Sequence, residues 1–132
     1  MEETAALDQA AVQTPARAFD EAAALDRVGG DRELFKELME LYRTESPQWL
    51  ADMRGAIQRG DIAAMRRGVH SLKGEVGVFG AADAVEAAQR LEHMCAQGDL
   101  THAAEAWAAL EVALGCLMAE LDRYGKESTG AR

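Results

Sequence analysis

Apolar residues recur at alternating spacings of three and four positions along most of the chain, which is the period of one face of an α-helix. This spacing predicts four long helices, at about 31–59, 61–79, 82–97 and 99–124, and a shorter helix at about 20–28. The dipeptide Gly-Asp stands at the start of three of the long helices. Glycine takes the left-handed conformation that ends one helix, and aspartate accepts a backbone hydrogen bond at the start of the next.

The apolar stripes define the expected core. In the first long helix the stripe consists of Leu34, Leu38, Leu41, Trp49, Leu50, Met53 and Ile57. In the second it consists of Ile62, Met65, Val69, Leu72, Val76 and Phe79. Pro47 removes a backbone donor, so the first long helix should kink or restart near Ser46. Because short joints make successive helices antiparallel, the sequence predicts an all-α fold, an antiparallel up-down-up-down four-helix bundle with a short extra N-terminal helix.

The predicted bundle occupies residues 19–124. Residues 1–18 are rich in alanine, glutamine and acidic residues without a sustained apolar stripe, so we expect a flexible leader or linker there. We expect residues 125–132 to form a flexible tail. A chain of 132 residues is long enough for one compact core. A four-helix core closes on itself, so we expect a monomer.

Composition narrows the classes of partner. The formal net charge is −9, which argues against binding to nucleic acid or to anionic membranes. No apolar run approaches the roughly 20 residues that span a bilayer, so membrane insertion is not expected. The two cysteines, Cys95 and Cys116, lack metal-ligand spacing and the density of a disulfide framework, which favours a reducing, cytoplasmic setting.

The candidate chemistry is at His70. With Val69 on the inward stripe, His70 lies about 100° further round the same helix and faces outward. The residues that share its face are all basic or small: Ala63, Arg66, Arg67, Lys73, Gly74 and Gly77. Each helical glycine costs about 1 kcal/mol relative to alanine, which indicates that another use compensates for it. An exposed imidazole beside a cation, on a face without bulk, is suited to carry a phosphoryl group while another protein approaches.

These residues also carry a family resemblance. The run Val69-His70-Ser71-Leu72-Lys73-Gly74, followed by Gly80-Ala81, resembles the signature of histidine-containing phosphotransfer (HPt) domains. The resemblance extends over roughly residues 19–124. It implies that His70 is the phosphoacceptor, that Lys73 neutralises the phosphate, that Gly74 gives clearance to the incoming receiver, and that Gly80 makes the turn into the next helix.

The resemblance further implies a carrier rather than an enzyme. Such a domain moves phosphoryl groups between receiver domains of response regulators and hybrid sensor kinases, and the Mg²⁺ ion belongs to the receiver, so no cofactor is expected here. Two positions depart from the usual pattern: Glu75 stands where a small residue is common, and Val78 where a polar one is common. The extra negative charge of Glu75 could alter the choice of partner.

Three alternatives remain open at this point. The chain could be the phosphoacceptor domain of a chemotaxis-type histidine kinase, or an adaptor that docks receivers without using His70. A metal-binding helical protein is the third, with His93, Cys95, His102 and Cys116 as ligands. The spacing of those four residues matches no standard zinc pattern, so we expect no metal site.

Overall fold

The computed structural model describes residues 18–130, and the side chains of residues 18–126. This part of the chain contains no strand and consists of helices joined by short turns. The helices are α1 (Glu21–Arg27), α2 (Arg32–Arg59), α3 (Ile62–Val78), α4 (Ala82–Gln97) and α5 (Ala103–Gly130). Contacts run from α2 to α3, α3 to α4, α4 to α5, and back from α5 to α2. The four long helices therefore close a bundle, and the predicted all-α fold is confirmed.

Aspartates begin the helices much as their sequence positions predict. The side chains of Asp20, Asp31 and Asp61 each accept a hydrogen bond from the backbone N–H three residues further on. The fourth long helix differs from the prediction, because the Asp99 carboxylate accepts instead from the backbone and hydroxyl of Thr101. That local turn delays the start of α5 from residue 99 to Ala103.

The N-terminal half of α2 buries a different stripe from the one predicted. Phe35, Met39 and Tyr42 are buried, whereas Leu34 and Leu41 are 39% and 45% exposed. The aromatic rings decide the rotation of the helix, because Phe35 contacts the rings of Phe19, Phe79 and Tyr124 at centroid distances of 5.3–6.0 Å. The helix also continues through Pro47 without a restart.

The stripe of α3 is confirmed. Met65, Val69, Leu72, Val76 and Phe79 are at most 3% exposed, and Ile62 is partly buried at the end of the helix. The regular burial of these residues fixes the rotation of α3, and with it the direction in which the intervening residues point.

Gly80 joins α3 to α4 and fits only without a side chain. Its φ of +63° lies in the left-handed region, and an added Cβ would lie 2.8 Å from the Cβ of Asp20. The Asp20 N–H donates to the Phe79 carbonyl at 3.0 Å. The turn therefore also holds the start of α1 against the bundle.

The ends of the chain are described only in part. The predicted leader lies outside the described residues except for Ala18, which is buried. Residues 125–130, predicted as a flexible tail, continue α5 as helix. Within residues 18–130, no helix combines the length and apolar character that crossing a bilayer requires.

Candidate functional site

His70 lies on the outer surface of α3, near the middle of the helix. Its side chain is 74% exposed, whereas the preceding residue, Val69, is fully buried. The imidazole is therefore open to solvent and to an approaching protein, while its backbone belongs to a helix that packs against α2 and α4.

A carboxylate from the next helix connects His70 to Lys73. Glu92 of α4 lies with Oε2 2.9 Å from His70 Nδ1, and its Oε1 accepts a hydrogen bond from Lys73 Nζ at 2.6 Å. Each oxygen of the carboxylate thus contacts one of the two side chains. Lys73 and Glu92 are each 28% exposed, so the contact lies in the groove between α3 and α4.

Sequence reasoning missed Glu92, although a signal was present. In an antiparallel pair of helices, residues at similar distances from the connecting turn lie opposite each other. His70 is ten residues before Gly80 and Glu92 is twelve after it, so the two belong to the same level of the bundle. Periodicity within a single helix does not contain this relation.

The charge of Glu92 decides which nitrogen of His70 is available. Hydrogen bonds from Lys73 and then His70 hold the pKa of the Glu92 carboxyl below its ordinary value of 4.5. The Glu92 carboxylate is therefore an anion at neutral pH. It has no proton to donate, so it accepts a hydrogen bond from Nδ1–H. In the neutral imidazole the lone pair is then on Nε2, and no described residue forms a hydrogen bond to that nitrogen.

The glycines on the His70 face have no internal packing role. A Cβ added at Gly74 or at Gly77 would meet nothing within 4 Å. Gly68 of the same helix is different, because a Cβ there would lie 2.6 Å from Met53 Sδ. Gly68 therefore serves the contact between α2 and α3, whereas Gly74 and Gly77 leave space on the outside of the bundle.

The remaining predicted residues of this face are exposed. Ala63, Arg66 and Arg67 all lie on the surface of α3, and neither guanidinium forms an ion pair with a described residue. By contrast, Arg54 Nε donates to Glu111 Oε2 at 2.8 Å across the α2–α5 interface. The face around His70 thus carries cationic groups whose charge is not matched locally, in a chain of net charge −9.

The described side chains do not form a metal site. Nowhere in that part of the chain do three histidine, cysteine, aspartate or glutamate residues come together in a way that could hold an ion. Cys95 is buried, whereas Cys116 is exposed on another helix. The zinc alternative gains no support from the fold.

Comparison with family models decides the class of the protein. The model of the Hpt domain matches residues 37–124, which is more than half of the chain and includes His70, Lys73 and Glu92. The chain belongs to the Hpt domain family. It is therefore a histidine phosphotransfer module of two-component systems, a class of phosphocarrier whose members interact with receiver domains. Neither the comparison with curated proteins nor that with solved structures gives a match.

We expect Glu92→Gln to remove a pH-dependent part of the stability of this Hpt domain. Because the pKa of the Glu92 carboxyl is lower in the folded protein than its ordinary value of 4.5, its ionisation stabilises the folded state above that pH. This contribution is lost as the pH falls through the lowered pKa. The difference in free energy of unfolding between wild type and variant, from urea titrations, should therefore shrink as the pH falls below the ordinary pKa of 4.5 and through the lowered one.

Glu75→Gln is the matched control, because Glu75 is exposed on α3 and has no partner among the described residues. Its difference from wild type should change little over the same range. If the difference in free energy of unfolding between wild type and Glu92→Gln were equally independent of pH, the ion pairing of Glu92 with His70 and Lys73 would be contradicted.

Proposed function

We propose that this Hpt domain carries a phosphoryl group on His70 and passes it between receiver domains of response regulators and hybrid sensor kinases. One observation carries the proposal: an exposed imidazole whose Nδ1 contacts an ionised carboxylate at 2.9 Å, with Nε2 facing open space. His70 is then a nucleophile fixed in one tautomer, and its reactive nitrogen is accessible to another protein.

The chemical step needs little more than this arrangement. Nε2 attacks the phosphorus of a receiver's aspartyl phosphate in line, the N–P bond forms, and the P–O bond to the aspartate breaks, releasing its carboxylate. The proton stays on Nδ1, so the phosphorylated ring carries a positive charge next to the Glu92 carboxylate. Positioning and charge stabilisation of this kind supply most of what phosphoryl transfer requires.

Glu92 would assist transfer in both directions. Its negative charge stabilises the ring as positive charge develops during attack. A ring that keeps its proton is also a better leaving group when the phosphoryl group moves to the next aspartate. A carrier has to release its cargo as readily as it accepts it.

Lys73 is our candidate for neutralising the phosphate. An ammonium group has three donors, and Glu92 Oε1 takes one of them at 2.6 Å. The other two have no described partner and can donate to oxygens of a phosphoryl group on Nε2. Glu92 would thus hold Lys73 beside the ring before the phosphate arrives.

The domain needs no cofactor for this role, since the Mg²⁺ ion would come with the receiver. His70 is phosphorylated by its partner, so we regard the domain as a carrier and not as an enzyme. Both cysteines are free thiols, which fits a reducing compartment, and the closed ring of long helices needs no second copy to complete its core. We therefore propose a monomer in the cytoplasm.

Removing the imidazole tests the function directly. We expect His70→Gln to abolish labelling of the domain by ³²P-phosphorylated receivers of the source organism, because glutamine offers no nucleophilic nitrogen. The assay is transfer of label, followed by gel electrophoresis.

His93→Gln is the matched control, since His93 is an exposed histidine on α4. It should be labelled like the wild type. Labelling of the His70 variant would assign the phosphoryl group to another residue, and binding of receivers by an unlabelled wild type would favour the adaptor alternative.

A substitution at Gly74 should affect stability and phosphotransfer in opposite directions. Gly74→Ala fills open space on a helix, so we expect it to stabilise the fold by up to about 1 kcal/mol. If the missing side chain gives clearance to the receiver, the same change should slow phosphotransfer. Urea unfolding and transfer kinetics measure the two effects.

Gly115→Ala provides the comparison, because Gly115 is an exposed helical glycine on α5 with nothing within 4 Å of its missing Cβ. It should stabilise the fold similarly and leave transfer unchanged. Equal transfer rates for both variants would remove the docking role of Gly74.

A further inference from the structure

A groove between α2 and α3 opens beside the proposed phosphoacceptor face. It forms a cavity of about 620 Å³. The side chains that matter here belong to both helices: Glu45, Trp49, Asp52, Arg67, Ser71 and Glu75. Ser71 directly follows His70, so the groove and the imidazole lie on adjoining parts of one surface.

The register of the two helices sets the order of groups along the groove. Met53 packs over Gly68, where an added Cβ would lie 2.6 Å from its Sδ. Because α2 and α3 are antiparallel, residues before Met53 lie opposite residues after Gly68. Glu45 and Glu75, eight and seven residues away from that contact, are therefore at about the same level on opposite sides of the groove.

The two carboxylates are in no ion pair within residues 18–126, and the arginines of the cavity, Arg59 and Arg67, lie on the other side of the contact between Met53 and Gly68. Glu45 and Glu75 are exposed, and neither forms a hydrogen bond or an ion pair with a described residue. Asp52 differs, because the Gln48 amide donates to it at 2.8 Å. Two like charges facing each other across a groove repel, so a cation placed between them would be favoured.

An aromatic ring lies about one turn of α2 from this pair of acids. Trp49 is half-buried, and its ring is held edge-on against Tyr42 at a centroid distance of 5.7 Å. An indole face attracts a lysine ammonium or an arginine guanidinium, and it also packs against the aliphatic stem. The groove thus combines an apolar platform with a negative end.

Resting on the proposed function, we propose that this groove binds a lysine or arginine side chain of the docking receiver. Glu45, Glu75 and Trp49 then determine which receivers are accepted. Glu75 is five residues from His70, about 7.5 Å along the helix axis. An interface of roughly 800 Å² per partner that reaches Nε2 would cover this distance easily.

The opposite charges on the two sides of His70 would fix the orientation of the partner. Lys73 and Arg66 lie toward α4, whereas the acidic end of the groove lies toward α2. A receiver must therefore present negative charge to one side and a basic side chain to the other. Complementarity of this kind selects partners and sets their register.

Charge reversal in the groove tests the proposal. The probes are the receiver domains of the source organism, and the binding of each in unphosphorylated form is measured by calorimetry alongside the kinetics of transfer. We expect Glu45→Lys and Glu75→Lys each to weaken binding and lower kcat/KM for transfer on the order of tenfold. Glu37→Lys, an exposed change of equal charge on α2 outside the groove, should stay within about twofold.

A reversal on the receiver completes the test. One exposed lysine or arginine, changed to glutamate, should restore binding to the Glu75→Lys variant. If both groove variants behave like Glu37→Lys while the wild type is still labelled on His70, the groove proposal is overturned and the carrier function stands. If the receiver binds in a groove-dependent way but never labels His70, the carrier function fails and the groove proposal stands. If no receiver binds at all, both are overturned.

Discussion

The contact between α3 and α4 decides what His70 can do. It brings the Glu92 carboxylate within 2.9 Å of Nδ1 and within 2.6 Å of Lys73 Nζ, so that one anion orients the imidazole and holds a cation beside it. Both contacts depend on how closely the two helices pack and on their register. The buried stripe of α3, centred on Val69 and Leu72, therefore supports the chemistry as well as the core.

The same surface shows where the fold gives up stability. Gly74 and Gly77 leave space that alanine would fill at a gain of roughly 1 kcal/mol each. Charged groups on both sides of His70, among them Arg67 and Glu75, have no described partner. Elsewhere the bundle pairs such groups, as Arg54 and Glu111 do. A surface that stays open and unpaired is suited to partners that bind briefly and leave.

The sequence predicted the parts of this arrangement that lie within one helix. The spacing of α3 predicted the outward direction of His70 correctly, because Val69 is buried and the next residue of a helix points about 100° away from it. It could not give Glu92, whose position depends on the register between two helices. The first half of the α2 stripe was wrong because leucines and aromatics alternate there, and contacts of Phe35 with rings from three other segments outweigh the leucine pattern. The second half was correct, since Met53 is buried and Trp49, Leu50 and Ile57 pack against the core.

The position of the phosphoryl group on the ring is the most direct test of the proposed role of Glu92. NMR of the ¹⁵N-histidine-labelled protein, after phosphorylation by a receiver, distinguishes the two ring nitrogens and detects coupling to phosphorus. We expect phosphorus on Nε2 of His70, with Nδ1 protonated and donating a hydrogen bond to Glu92. Phosphorus on Nδ1, or ¹⁵N signals of the His70 ring that do not change in Glu92→Gln, would contradict this role of Glu92.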